Sequence, residues 1–100
     1  MINIPAARLA DTWVEILRDQ PRTEIVAMSK DGKRIEAIQR SLVFGFVDRI
    51  SSQVFQISDQ QSTIAIYSRA TSGYWDLGVN RRRVQSWLQL LEQRLDQSKR

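Results

Sequence analysis

In "NIPAARLADTWVEILRDQP" the apolar residues Ala6, Leu9, Ala10, Trp13, Ile16 and Leu17 recur at three- and four-residue spacing, while Arg8, Asp11, Thr12, Glu15 and Arg18 fill the other side. That period predicts an amphipathic helix. Asn3 is placed to cap its start, Pro5 suits the first turn, and Pro21 ends it. The pattern then shortens. In "TEIVAMSKDGKRIEAIQRS" two runs rich in Ile, Val and Ala flank the turn "SKDG", a hairpin signal. Ile35 and Ile38 stand three apart in the second run, Arg34 to Arg40, so a bulge or change of face is expected there.

Two further strands follow. Ile50, Ser52, Val54 and Gln56 share one face, with Gln53, Phe55 and Ile57 on the other. After the turn "SDQQS", Ile64, Ile66 and Ser68 alternate with Ala65, Tyr67 and Arg69. Connections this short favour an antiparallel meander over parallel crossovers. The last segment carries the stripe Val84, Trp87, Leu88, Leu91 and Leu95, with Gln85, Gln89, Glu92, Gln93 and Asp96 turned away. The expected fold is therefore α+β: an N-terminal helix, a four-stranded antiparallel meander and a long C-terminal helix, with both helices on one sheet face. Residues 1–100 form a single domain in this reading.

Composition narrows the chemistry. With 42% apolar and 26% charged residues the chain reads as a soluble globular domain. No apolar run approaches the roughly 20 residues of a membrane span. The start "MINIPAARLADTW" lacks the basic opening and apolar block of a signal peptide, so the expected address is cytoplasmic. There is no cysteine and no histidine. Thiolate nucleophiles, zinc–thiolate sites, Ser-His-Asp triads, Cys-His pairs and haem–histidine ligation are thereby excluded. The acidic residues are scattered, with no D-x-D element or calcium-loop spacing, so no metal and no other cofactor is expected. Any catalysis would rest on Asp, Glu, Tyr, Lys or Arg, and the reading leans away from an enzyme.

Charge is uneven. Residues 1–48 hold seven basic and seven acidic side chains, whereas residues 49–100 hold eight basic against four acidic, the whole of the net +4. Such an excess suits a nucleic-acid, acidic-lipid or acidic-protein partner or a small anion, and at least equally a solvated surface.

The basic half concentrates in "SGYWDLGVNRRRVQSWL", residues 72–88. Three arginines open the last helix, where each cation costs roughly 0.3–1 kcal/mol against the helix dipole. Something negative should offset them. Asn80 is the expected N-cap, and Gly73 and Gly78 allow a close backbone approach. Helical spacing aims Arg81 at the sheet, lays Arg83 over the Trp87 ring and turns Arg82 to solvent. The offsetting charge is either internal, Asp76 or Asp48, or an external phosphate or carboxylate bound at the helix start. Tyr74 and Trp75 stand among these cations and could stack bases, but plugging the core end is the stronger expectation, and nucleic acid is the weaker partner class.

The same residues carry a resemblance. "FGFVDRI" followed by "IYSRATSGYWDLGVNRRRVQSWL" resembles the domain-of-unknown-function 1499 family of bacterial and plastid-type proteins. The matching positions are Phe46 and Asp48, Ser68 and Arg69, then Gly73, Asp76, Gly78, Asn80 and Arg83, and "PRTEIV" is similar to the family's entry into its first strand. The chain departs from the family where a repeated Ser-Arg pair is replaced by Ala70 and Thr71, and where many relatives carry an N-terminal extension. The resemblance implies a shared fold and polar cluster, and no activity.

The leading expectation is thus a non-enzymatic binding or interaction domain. Its candidate site is Asp48, Ser68, Arg69, Gly73, Asp76, Gly78, Asn80, Arg81 and Arg83, either an anion site or a structural cluster. One alternative is a small enzyme with Asp48 or Asp76 as base and Tyr67 or Tyr74 as acid. Another is an apolar-ligand carrier with a cavity lined by Phe44, Phe46 and Phe55. An edge strand could also pair with a second copy, leaving a homo-oligomer open.

Overall fold

The first amphipathic stripe folds as α1 (Ala6–Asp19) and buries all six of its apolar positions. The structure, a computed structural model, describes residues 2–42, 45–70 and 79–98. After α1 come β1 (Thr23–Met28), β2 (Arg34–Arg40), β3 (Val47–Ser58), β4 (Gln61–Ala70) and α2 (Val79–Ser98). The strands pair antiparallel in the order β1-β2-β3-β4, the expected meander.

Asn3 is not the cap of α1. Pro5 occupies that position without a side-chain bond, and the Ala6 N–H donates instead to Gln56 Oε1 of β3 at 2.8 Å. The reason lies in residues 2–4, which are drawn onto the edge of β4. Ile2 bridges Ser62, and the Ser62 hydroxyl donates to the Ile4 carbonyl at 2.7 Å. Asn3 then accepts from Gln61 Nε2 at 3.2 Å. This contact also closes part of the β4 edge.

The irregularity expected in β2 falls on β1. β2 keeps continuous register with β3, from Arg34 opposite Gln53 to Arg40 opposite Val47. The register against β1 shifts between Ile25 and Ala27, leaving Val26 as the extra residue. An interior strand must satisfy two ladders, so the bulge sits on the edge strand, where one ladder is disturbed and the edge is blunted. In the β1–β2 turn Gly32 adopts φ 73°, a left-handed conformation that glycine takes without steric cost. Asp31 accepts there from the Ser29 hydroxyl at 2.6 Å and the Lys33 N–H at 3.0 Å. Those bonds hold its carboxyl below the usual carboxylate pKa.

Both helices cover one sheet face. α1 packs across β1, β3 and β4, and α2 packs against β4 and α1. Between them and the sheet lie Leu9, Trp13, Ile16, Leu17, Ile35, Ala37, Ile50, Val54, Trp87, Leu91 and Leu95. Trp13 is the centre of this layer. Its ring meets that of Trp87 at 6.1 Å, and its indole N–H donates to Ser52 Oγ at 2.9 Å. Ser52 in turn donates to the Ile35 carbonyl at 3.3 Å, so neither buried polar group is orphaned. Among the described residues, no helix is long and apolar enough to cross a membrane.

Candidate functional site

Strand alternation brings polar side chains to the inner face at one end of the sheet. Asp48 follows the parity of the buried Ile50, Ser52 and Val54 on β3. Its register partner on β2 is Gln39, and Ser68 of β4 stands opposite Ile50. The first turn of α2 passes over this end with Asn80 and Arg83. Asp48 is 4% exposed and Asn80 3%, so their polar atoms need partners within the protein.

Arg83 supplies them. Its Nη2 pairs with Asp48 Oδ2 at 2.8 Å, and its Nε donates to Gln39 Oε1 at 2.6 Å. Its Nη1 donates to Ser68 Oγ at 3.0 Å and to Asn80 Oδ1, while the Ser68 hydroxyl itself donates to Asn80 Oδ1. The guanidinium carbon stands 6.0 Å from the Trp87 ring centre, the predicted stacking position. One side chain therefore ties α2 to β2, β3 and β4 and joins the cluster to the tryptophan pair. Removing one member of a buried ion pair strands the other charge, at about 3–5 kcal/mol. Asp48 is the internal carboxylate that offsets a cation near the helix start.

Other expectations need correction. Arg81, expected to face the sheet, is exposed, and Arg83 takes the inward position. The buried arc of α2 runs through Asn80, Trp87, Leu91 and Leu95, and Arg83 lies on it one turn before Trp87. Asn80 lies inside α2, after Val79, and its side-chain oxygen serves Ser68 and Arg83 as an acceptor. Arg69 does not join the cluster, because its neighbour Ser68 points inward and alternation turns Arg69 to the open face. The same parity separates Tyr67, on the open face, from Asp48, on the inner one. Those two cannot share an acid–base site. Phe46 and Phe55 are exposed instead of lining a cavity beneath the helices. Gly73, Asp76 and Gly78 lie outside the described residues, as do Phe44, Tyr74 and Trp75.

Gln39 is the member that the sequence reading missed. Its signal was present, since it continues the alternation of Ile35 and Ala37 two residues further on, on the inward parity of β2. The uneven spacing of Ile35 and Ile38 obscured it. Among the described residues, no group of three or more acidic side chains is placed to hold a metal ion.

A protein-family model described as "Protein of unknown function (DUF1499)" matches residues 2–91. No curated protein and no solved structure matches the chain.

Proposed function

The chain belongs to the DUF1499 family, from which no activity can be read, and we propose on physical grounds that it is a non-enzymatic binding domain whose Arg83 cluster is a structural lock. One observation carries this reading: all three guanidinium nitrogens of Arg83 are engaged by acceptors of the chain itself. A guanidinium so occupied has little left for an external anion. Asp48 is buried with its Oδ2 taken by Arg83, so it is not presented to a substrate as a general base. The lock holds the two-helix layer on the inner face and leaves the other face of the sheet to meet a partner.

The test is thermal denaturation of wild type, Arg83→Ala, Arg83→Lys and Arg81→Ala, with and without phosphate, sulfate, citrate and nucleotides. Arg83→Ala is expected to lose about 3–5 kcal/mol. Arg83→Lys should recover little, because a point charge cannot meet Gln39, Ser68 and Asp48 together. Arg81→Ala should stay close to wild type. A saturable rise in wild-type Tm with phosphate or citrate, abolished by Arg81→Ala or Arg83→Lys without loss of ligand-free stability, would make the cluster an anion site and overturn the lock.

A further inference from the structure

The face of the sheet opposite the helices carries a second pattern, set by register. Arg49 stands directly opposite Arg69, Ser51 opposite Tyr67, Gln53 opposite Ala65 and Phe55 opposite Thr63. On the other side of β3, Arg34 pairs with Gln53, Glu36 with Ser51 and Arg40 with Val47. Successive rungs on one face lie about 6.8 Å apart, two residues of strand rise. Along the face the rungs thus run arginine pair, tyrosine, arginine, phenylalanine. Tyr67 is 64% exposed and Phe55 43%.

Two features of this face are costly in the free protein. Like charges directly opposed across a ladder are destabilising, yet Arg49 and Arg69 occupy one rung, and Arg69 has no ion-pair partner among the described residues. Glu36 stands 3.9 Å from Arg49 through Oε1, while its Oε2 is buried with no hydrogen-bond partner. Beside them lies a concavity of about 490 Å³, lined in part by Arg34, Glu36, Gln53 and Tyr67. The exposed arginines and Tyr67 call for an occupant that is anionic and offers a flat apolar surface to an aromatic ring.

We propose that the open sheet face binds single-stranded nucleic acid, with phosphates on Arg49, Arg69 and Arg34 and a base stacked on Tyr67. This rests on the binding-domain reading above and gives it a ligand class. Alternating cations and aromatics suit such a strand because every base has a stacking face and every nucleotide a charge. A glutamate-rich peptide meets the arginines, but its side chains offer no flat face to stack on Tyr67. A second copy of this chain would set four arginines, Arg34, Arg40, Arg49 and Arg69, against four more, with Glu24 and Glu36 as the acids that the described strand residues place on each face. Charge excludes the second copy, and the stacking face beside the charge selects the nucleic acid over the peptide.

The experiment is fluorescence anisotropy on the full chain with labelled oligo-dC and oligo-U, beside a labelled glutamate-rich peptide and phosphatidylserine vesicles, across a salt series. Wild type should bind the oligonucleotides with a log–log salt slope of about −2, the value for three phosphate contacts on a single strand. Tyr67→Ala should weaken binding about tenfold. Arg49→Gln with Arg69→Gln should reduce the slope by about 1.4. That double variant should remain folded, because it relieves a like-charge rung. Arg18→Gln, an exposed change on α1, removes the same kind of charge from the other layer and should leave binding nearly unchanged.

Failure to bind oligonucleotide at low salt overturns the proposal, as does an equal loss with Arg18→Gln, which would reduce it to bulk charge. Peptide or vesicle binding lost in the arginine double variant would replace the ligand class and leave the binding-domain reading standing. No binding to any of these probes would remove both.

Discussion

Arg81 and Arg83 are two positions apart, and the protein uses them in opposite ways. Arg83 is engaged on every nitrogen beneath the first turn of α2, whereas Arg81 stands exposed on the same turn. The dipole acts on both, but only Arg83 has Asp48 as its offset. Arg81→Glu should therefore raise stability by about 0.5–1 kcal/mol at low ionic strength, read as a higher Tm that falls back toward wild type as salt is added. A drop in Tm would mean that Arg81 has an electrostatic role of its own. Periodicity correctly laid Arg83 over Trp87, yet it also aimed Arg81 at the sheet. The spacing of α2 alone left both positions beside the apolar stripe. Only the sheet supplies the acceptors that make one of them the inward arginine.

Among the elements, the β1–β2 hairpin was the most legible and β1 itself the least. "SKDG" carries its turn chemistry in the letters: Ser29 and Asp31 bond the backbone and each other, and Gly32 takes the positive φ. Because these bonds favour the charged Asp31, its folded pKa lies below the ordinary value. The resulting stability is present above the ordinary carboxylate pKa and is lost as pH falls through the lowered one. Asp31→Asn should accordingly be less stable than wild type near neutral pH, and the gap should close in acid. Paired urea denaturations at the two conditions measure this, and a gap independent of pH would place the effect in packing. The bulge at Val26 was misassigned to β2 because spacing within one strand does not reveal which strand of a pair absorbs an extra residue. Position in the sheet decides that, and β1 is the edge.

At the scale of the whole molecule, Trp13 joins α1, β3 and α2 through its contact with Trp87 and its bond to Ser52. Trp13→Ala should cost about 3–5 kcal/mol in urea denaturation, the range for truncating a large buried aromatic. A loss below about 1 kcal/mol would mean that the two layers are held elsewhere. Element order, the one-sided burial of both helices and the inward parity of Asp48, Ser52 and Ser68 were all determined by the sequence. So was the exclusion of cysteine and histidine chemistry. These follow from periods of two and 3.6 residues, or from simple composition, and need no knowledge of what lies opposite. The tertiary structure decided the rest. Gln56 caps a helix 50 residues before it, Gln39 meets an arginine 44 residues after it, and register alone opposes Arg49 to Arg69 beside Tyr67. A buried or crowded polar group takes whichever partner folding sets at bonding distance, and that distance is not written in the local pattern of the chain.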